Sequence, residues 1–134
     1  KPYKQMRIPQ PDFVLCCNNY SIRPQINQVI AGNLKLCHDY RILTEYREVL
    51  SRPKFKFSSW QINFLLETFE KDGISVIPQP LTSIPFADES DKVFYEVAKF
   101  CSAPLVTGNL KHFPQDDCII KVTDFYNHLV TNGY

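Results

Sequence analysis

Leu34-Lys35-Leu36-Cys37, followed four residues later by Ile42-Leu43-Thr44-Glu45-Tyr46-Arg47-Glu48-Val49-Leu50, decides how this chain folds. The first piece is short and apolar, a length that suits a buried strand rather than a helix. In the second, Ile42, Leu43, Tyr46, Val49 and Leu50 recur at spacings of three and four, the stripe of an amphipathic helix. Pro53 ends that helix, because proline disfavours helical geometry in the residue before it. A strand leading into a helix is half of a parallel-sheet unit, and the rest of the chain repeats it.

Toward the N-terminus, Phe13-Val14-Leu15-Cys16-Cys17 reads as a buried strand between Pro11 and Asn18-Asn19. Pro24 can open a helix in its first turn, Ile26, Val29 and Ile30 follow at helical spacing, and Gly32 supplies the stop. Lys1 to Pro11 is polar, basic and proline-containing, which suits an N-terminal arm. Toward the C-terminus, Ser58 and Gln61 form a capping box ahead of Ile62, Leu65, Leu66 and Phe69, and Gly73 closes that helix. Ile74 to Ile77 is a third strand, and the three prolines between Pro78 and Pro85 demand a loop. Ser90 or Asp91 is expected to cap a helix carrying Val93, Phe94, Val97, Ala98 and Cys101 inward. Leu105-Val106 is a fourth strand and Cys118 to Val122 a fifth. Thr123 then caps a last helix with Phe125, Tyr126, Leu129 and Val130 inward. Short strands that are apolar on both faces and alternate with helices imply a parallel sheet covered on both sides. Ligands of such sheets bind beyond the carboxyl ends of the strands.

The 134 residues suit one domain, read here as residues 1–134 with 1–11 as the arm. A net charge of +1 excludes recognition by bulk charge, so a nucleic-acid partner would need a local basic patch. Arg47, Arg52, Lys54, Lys56, Lys111 and Lys121 could supply one. Phe55, Phe57 and Trp60 lie among them as a stacking platform for single strands, although an aromatic beside an apolar helix face is more often core or dimer interface. Five cysteines without regular spacing argue against a disulfide framework or a zinc site, and for reduced thiols in a cytoplasmic protein. No apolar run reaches the roughly 18 residues of a membrane helix. Neither a G-x-S-x-G elbow nor a phosphate-binding G-x-x-x-x-G-K loop is present, which leaves acyl transfer and nucleotide hydrolysis without support.

Acidic and amide side chains fall where strands or helices meet the rim. Glu45 lies within the second helix, Asp88 and Asp91 lie at the start of the fourth, and Asn109 follows the strand Leu105-Val106. If they converge, they form an oxygen-rich pocket suited to a hard divalent cation, which can activate water against a phosphodiester. Each has a plainer reading: Glu45 as a solvated helix residue, Asp91 as a cap, Asp88 as structural, Asn109 as a turn residue. His112 invites a general-base role, but as one of a Lys111-His112 pair it reads as an exposed loop histidine.

The segment Arg41 to Phe55 resembles the second-helix signature of PIN-domain proteins, most closely the bacterial branch of toxins from toxin–antitoxin pairs. Asp88-x-x-Asp91-Lys92-x-Phe94 is similar to that family's third acidic motif, and Leu105 to Pro114 to its fourth. The resemblance implies a three-layer α/β/α sandwich with a short, mostly parallel central sheet. It also implies a Mg2+- or Mn2+-dependent ribonuclease of the cytoplasm, with RNA as substrate, an antitoxin protein as partner, a homodimer as assembly and no membrane association. Carried over residue by residue, Glu45, Asp91 and Asn109 become the catalytic candidates and Glu45, Asp91 and Asp88 the metal ligands. One position departs. The family's first strand ends in Asp-Thr-Asn, where this chain has Cys16-Cys17-Asn18. A register counted from Met6-Arg7-Ile8 would instead put Pro11 at the acid with Asp12 beside it, but its strand would run through two prolines. A thiol is a poor ligand for magnesium, so activity is expected to be weak or lost. The alternatives are a non-catalytic module that binds RNA or a protein, and a doubly wound domain that takes a small ligand at the same rim.

Overall fold

The computed structural model describes residues 12–16, 23–80, 84–86 and 88–131, with the backbone alone at 23–25. The N-terminal arm, Cys17, Asn18 and part of the proline-rich loop lie outside the described residues.

Five strands, β1 (Asp12–Cys16), β2 (Lys35–His38), β3 (Ile74–Ser75), β4 (Leu105–Thr107) and β5 (Ile119–Lys121), form one sheet in the order β3-β2-β1-β4-β5. Every pairing is parallel. Helices α1 (Arg23–Ile30), α2 (Tyr40–Leu50), α3 (Ser59–Asp72), α4 (Glu89–Cys101) and α5 (Val122–Thr131) complete the α/β/α sandwich. Phe13, Val14, Leu15 and Cys16 of β1 are all buried, so this central strand is covered on both faces. The chain winds outward from β1 to β3, then returns to β4 on the other side of β1. That reversal makes the carboxyl end of β1, beside β4, the switch point of the sheet.

The expected elements are present, with six corrections. β3 stops at Ser75 rather than Ile77. α5 begins at Val122, so Thr123 lies inside the helix and is not its cap. Asp88 caps α4, its carboxylate accepting from the Ser90 N–H at 3.0 Å and the Ser90 hydroxyl at 2.7 Å. Neither Ser90 nor Asp91 is the cap, because both lie inside the first turn that Asp88 opens, and the Asp88 carboxylate already takes the Ser90 amide. Tyr126 and Val130 face outward, since the inward stripe of α5 is Val122, Phe125 and Leu129. Ile30 is half-exposed. Trp60 is 74 % exposed and not part of the core.

Tyr46 shows how the core fixes α2. Its ring packs against Phe69 of α3 and Phe94 of α4, and its hydroxyl donates to the Leu15 carbonyl of β1. Burial of Ile42, Tyr46, Val49 and Leu50 on one stripe stabilises this docking by roughly 1.5–3 kcal/mol per side chain. Phe13 stacks on Phe125, at 5.2 Å between ring centres, and ties β1 to α5. Two glycines stop helices for different reasons. Gly32 has φ +85°, which an L side chain resists. Gly73 is extended, but a Cβ there would clash with the Leu36 and Phe69 carbonyl oxygens.

Candidate functional site

The carboxyl rim is built by caps and one clamp. Asp39 follows β2 and caps α2, accepting from the Ile42 N–H at 3.0 Å. Arg41 donates from Nε to Asp39 at 2.8 Å and from Nη1 to Glu96 of α4 at 2.8 Å. Both carboxylates are buried, while the guanidinium is one-third exposed. This clamp pins the start of α2 to the middle of α4. Glu45, one turn further along α2, then falls within electrostatic reach of Asp88 and Asp91 at the start of α4. The two helices therefore run antiparallel where they meet.

Two of the three acids, Glu45 and Asp91, share a common strain. Burial raises the Glu45 pKa, and Glu48, Asp88 and Asp91 raise it further, while Arg52 opposes them. Burial also raises the Asp91 pKa, with Asp88 adding to it and His112 giving partial relief. Asp88 differs: its bonds from Ser90 hold its carboxyl below the ordinary value. Like charges crowded at one edge disfavour ionisation.

Asn109 reaches this cluster through His112. The Asn109 N–H donates to the Thr107 hydroxyl at the end of β4, and the Asn109 side-chain oxygen accepts from the Lys111 N–H. This cap positions a 3-10 turn, Leu110–His112. His112 Nδ1 lies 3.2 Å from Asp91 Oδ2, and its Nε2 lies 3.0 Å from the Asn109 amide nitrogen. An amide donor at Nε2 leaves Nδ1 to carry the proton and donate to Asp91. His112 is exposed as the sequence suggests, yet it is the link between Asp91 and Asn109. The signal for this was its three-residue spacing from Asn109 across a turn.

At the switch point itself stands Cys16, beside Thr107 in the sheet. Asp12 begins β1 at the opposite rim, so the strand favours the Cys16 register. All 14 carboxylate side chains of the chain lie within the described residues, and residues 17–22 contain neither Asp, Glu nor His. A carboxylate is therefore not waiting in the segment after β1.

The donor types at the rim suit magnesium or manganese, but their placement does not. Among the described residues, no three His, Cys, Asp or Glu side chains come close enough to hold one metal ion. Asp91 is engaged by His112 and Asp88 by its cap. Two cavities flank the rim, one of about 270 Å³ against Arg41 and Glu96 and one of about 470 Å³ against Lys111 and Asp116. Neither is lined by Glu45, Asp88 or Asp91.

Beside Glu45 the hairpin joining α2 to α3 is basic. Arg52 pairs with Glu48 at 2.9 Å, Lys54 sits over the Phe55 ring at 5.2 Å, and Phe55 stacks on Phe57. Among the described residues, no helix is long and apolar enough to cross a membrane. Among the described residues, Cys37, Cys101 and Cys118 carry no disulfide, Cys37 being buried and Cys101 and Cys118 partly buried.

Neither a curated protein nor a solved structure matches the chain. The PIN domain model matches residues 14–111, a span that runs from β1 through α4 and β4 to His112's neighbour Lys111. That family's function is of the nuclease type, directed at nucleic acid and generally served by divalent metal ions. With well over half of its length matched and a parallel sheet to carry the motifs, the chain belongs to the PIN-domain family.

Proposed function

We propose that this protein binds single-stranded RNA across the carboxyl rim and that its metal-dependent cleavage there is weak. The observation that carries this reading is Cys16 at the switch point, where a carboxylate would complete a set with Glu45 and Asp91. A neutral thiol adds no charge for a hard cation, and among the described residues the acids do not form a group that could hold one. Glu45, Asp91 and Asn109 face the phosphodiester, with His112 holding Asp91 and Asn109 in register. Arg52 and its basic neighbours supply the phosphate contacts that the acidic rim lacks.

Resemblance of residues 41–55 to the toxin branch supports a finer reading: a cytoplasmic toxin component, homodimeric, held by an antitoxin protein. Co-purification of a tagged chain from its own cells would test the antitoxin.

The direct test incubates purified protein with single-stranded RNA and magnesium or manganese. Binding with cleavage barely above background is expected, and Asp91→Asn should remove the small excess over background. Rapid manganese-dependent cleavage that Asp91→Asn or Glu45→Gln abolishes would overturn the weak-site reading. Absence of RNA binding would overturn the RNA reading itself.

A further inference from the structure

An aromatic pair on α3 has no role in the carboxylate site. Trp60 and Phe64 lie one turn apart with their rings parallel, 5.9 Å between centres and 10° between planes. Trp60 is 74 % and Phe64 48 % exposed. Isolated exposed apolar residues are ordinary, but a ring braced by a second one stacked on it holds its outer flat face open to solvent. One cation is held beside that face. Arg47 of α2 donates to the Asn63 side-chain oxygen at 2.9 Å, which holds its guanidinium on the helix turn between the two rings. Lys56, three residues ahead of α3, is in a left-handed backbone conformation. From residue 47 to residue 64 the chain carries Arg47, Arg52, Lys54 and Lys56 against a single acid, Glu48, which Arg52 already pairs. On the face itself, acid enters with Glu67, one turn beyond Phe64.

Aromatic rings and arginine also occur in protein interfaces, but lysine is depleted there, whereas flat rings beside lysine and arginine suit bases and phosphates. Charge complementarity therefore selects a polyanion with unstacked bases. We propose that the α2–α3 hairpin is a stacking platform for single-stranded RNA: Trp60 carries a base, Phe64 backs it, and Arg47 and Lys56 hold the adjoining phosphates. This rests on the RNA reading above and assigns it a second surface, separate from the carboxylates. Continuity between the two is electrostatic, since Arg52 at the hairpin's base acts on Glu45.

Trp60 is the sole tryptophan of the chain, so its fluorescence reports the platform directly. The full chain is titrated with a short oligouridine in EDTA, and affinity is followed in parallel by anisotropy of a labelled strand. The Trp60 emission should be quenched on binding. Trp60→Ala should weaken affinity by about tenfold, and Trp60→Phe should recover most of that loss. Arg47→Ala should reduce the salt slope by about 0.7. Wild-type RNA affinity retained in Trp60→Ala would overturn the platform while leaving the RNA reading intact. So would a dimer seen by sedimentation that Trp60→Ala dissociates without changing RNA affinity, since the face would then join two copies of this chain. A wild-type chain that does not bind RNA overturns both.

Discussion

Asp116 and Asp91 are the same side chain in opposite surroundings. Asp116, in the loop before β5, accepts from the Tyr95 hydroxyl at 2.7 Å, Lys99 Nζ at 2.9 Å and the Cys118 N–H at 3.0 Å. Burial pulls its pKa up, yet the Cys118 N–H, Lys99 and Tyr95 outweigh burial and hold the carboxyl well below its usual range. The cost appears in the neighbours. Burial and Asp116 together push the Cys118 thiol up to about 12. Asp91 has burial and Asp88 raising its pKa, and His112 only partly offsets them. Donors converge on one acid, and acids converge on the other. Compensated carboxylates of the first kind hold helices and loops together, while strained ones of the second kind are the usual mark of a functional site.

Arg41→Ala gives the largest expected effect within the compensated class. Asp39 and Glu96 would lose their shared cation while remaining buried, and stability should fall by about 3 kcal/mol in denaturant unfolding. A loss under about 1 kcal/mol would mean that the clamp is solvent-screened and does not hold α2 to α4.

Asp116→Asn should cost about 1–2 kcal/mol at neutral pH. Because the folded pKa of Asp116 is lowered, its contribution is complete above the unfolded value and disappears as pH falls toward the folded one. The gap between wild type and variant should therefore narrow below about pH 4. A gap independent of pH would assign the loss to packing instead.

Glu45→Gln should have the smallest effect and the opposite sign, a gain of less than about 1 kcal/mol at pH 7. A raised folded pKa means that ionising Glu45 opposes folding, so the gain should be present above the folded pKa and fade as pH falls to about 4. Destabilisation by Glu45→Gln would place Glu45 with Asp116 rather than with Asp91, and the contrast between the two regions would collapse.

Much of the fold was legible because its signals are local. The Ser58–Gln61 capping box forms with both reciprocal bonds, and the stripe of α2 is buried as its spacing dictates. The start of α4 misled because Asp88, Ser90 and Asp91 are all competent caps within four residues, and backbone geometry alone chooses among them. The face of α5 misled because Phe125, Tyr126, Leu129 and Val130 fit two overlapping stripes, and the sheet edge it meets decides which is covered. At the rim, Glu45, Asp88, Asp91 and Asn109 could be named in advance as candidates, whereas the placement of His112 between Asp91 and Asn109 could not.

From the order of its residues alone, the chain specifies alternating strands and helices and delivers its acids to one rim. Periodicity and capping act over a few residues, which is why they can be read from a string. Whether those acids share an ion, repel one another or find a donor depends on distances across the sheet. Here the strand order that seats Cys16 beside Thr107, and the clamp of Arg41 on Glu96, set those distances. Electrostatic energy varies with separation in space and not along the chain, so the tertiary structure alone decided that this rim would be left strained.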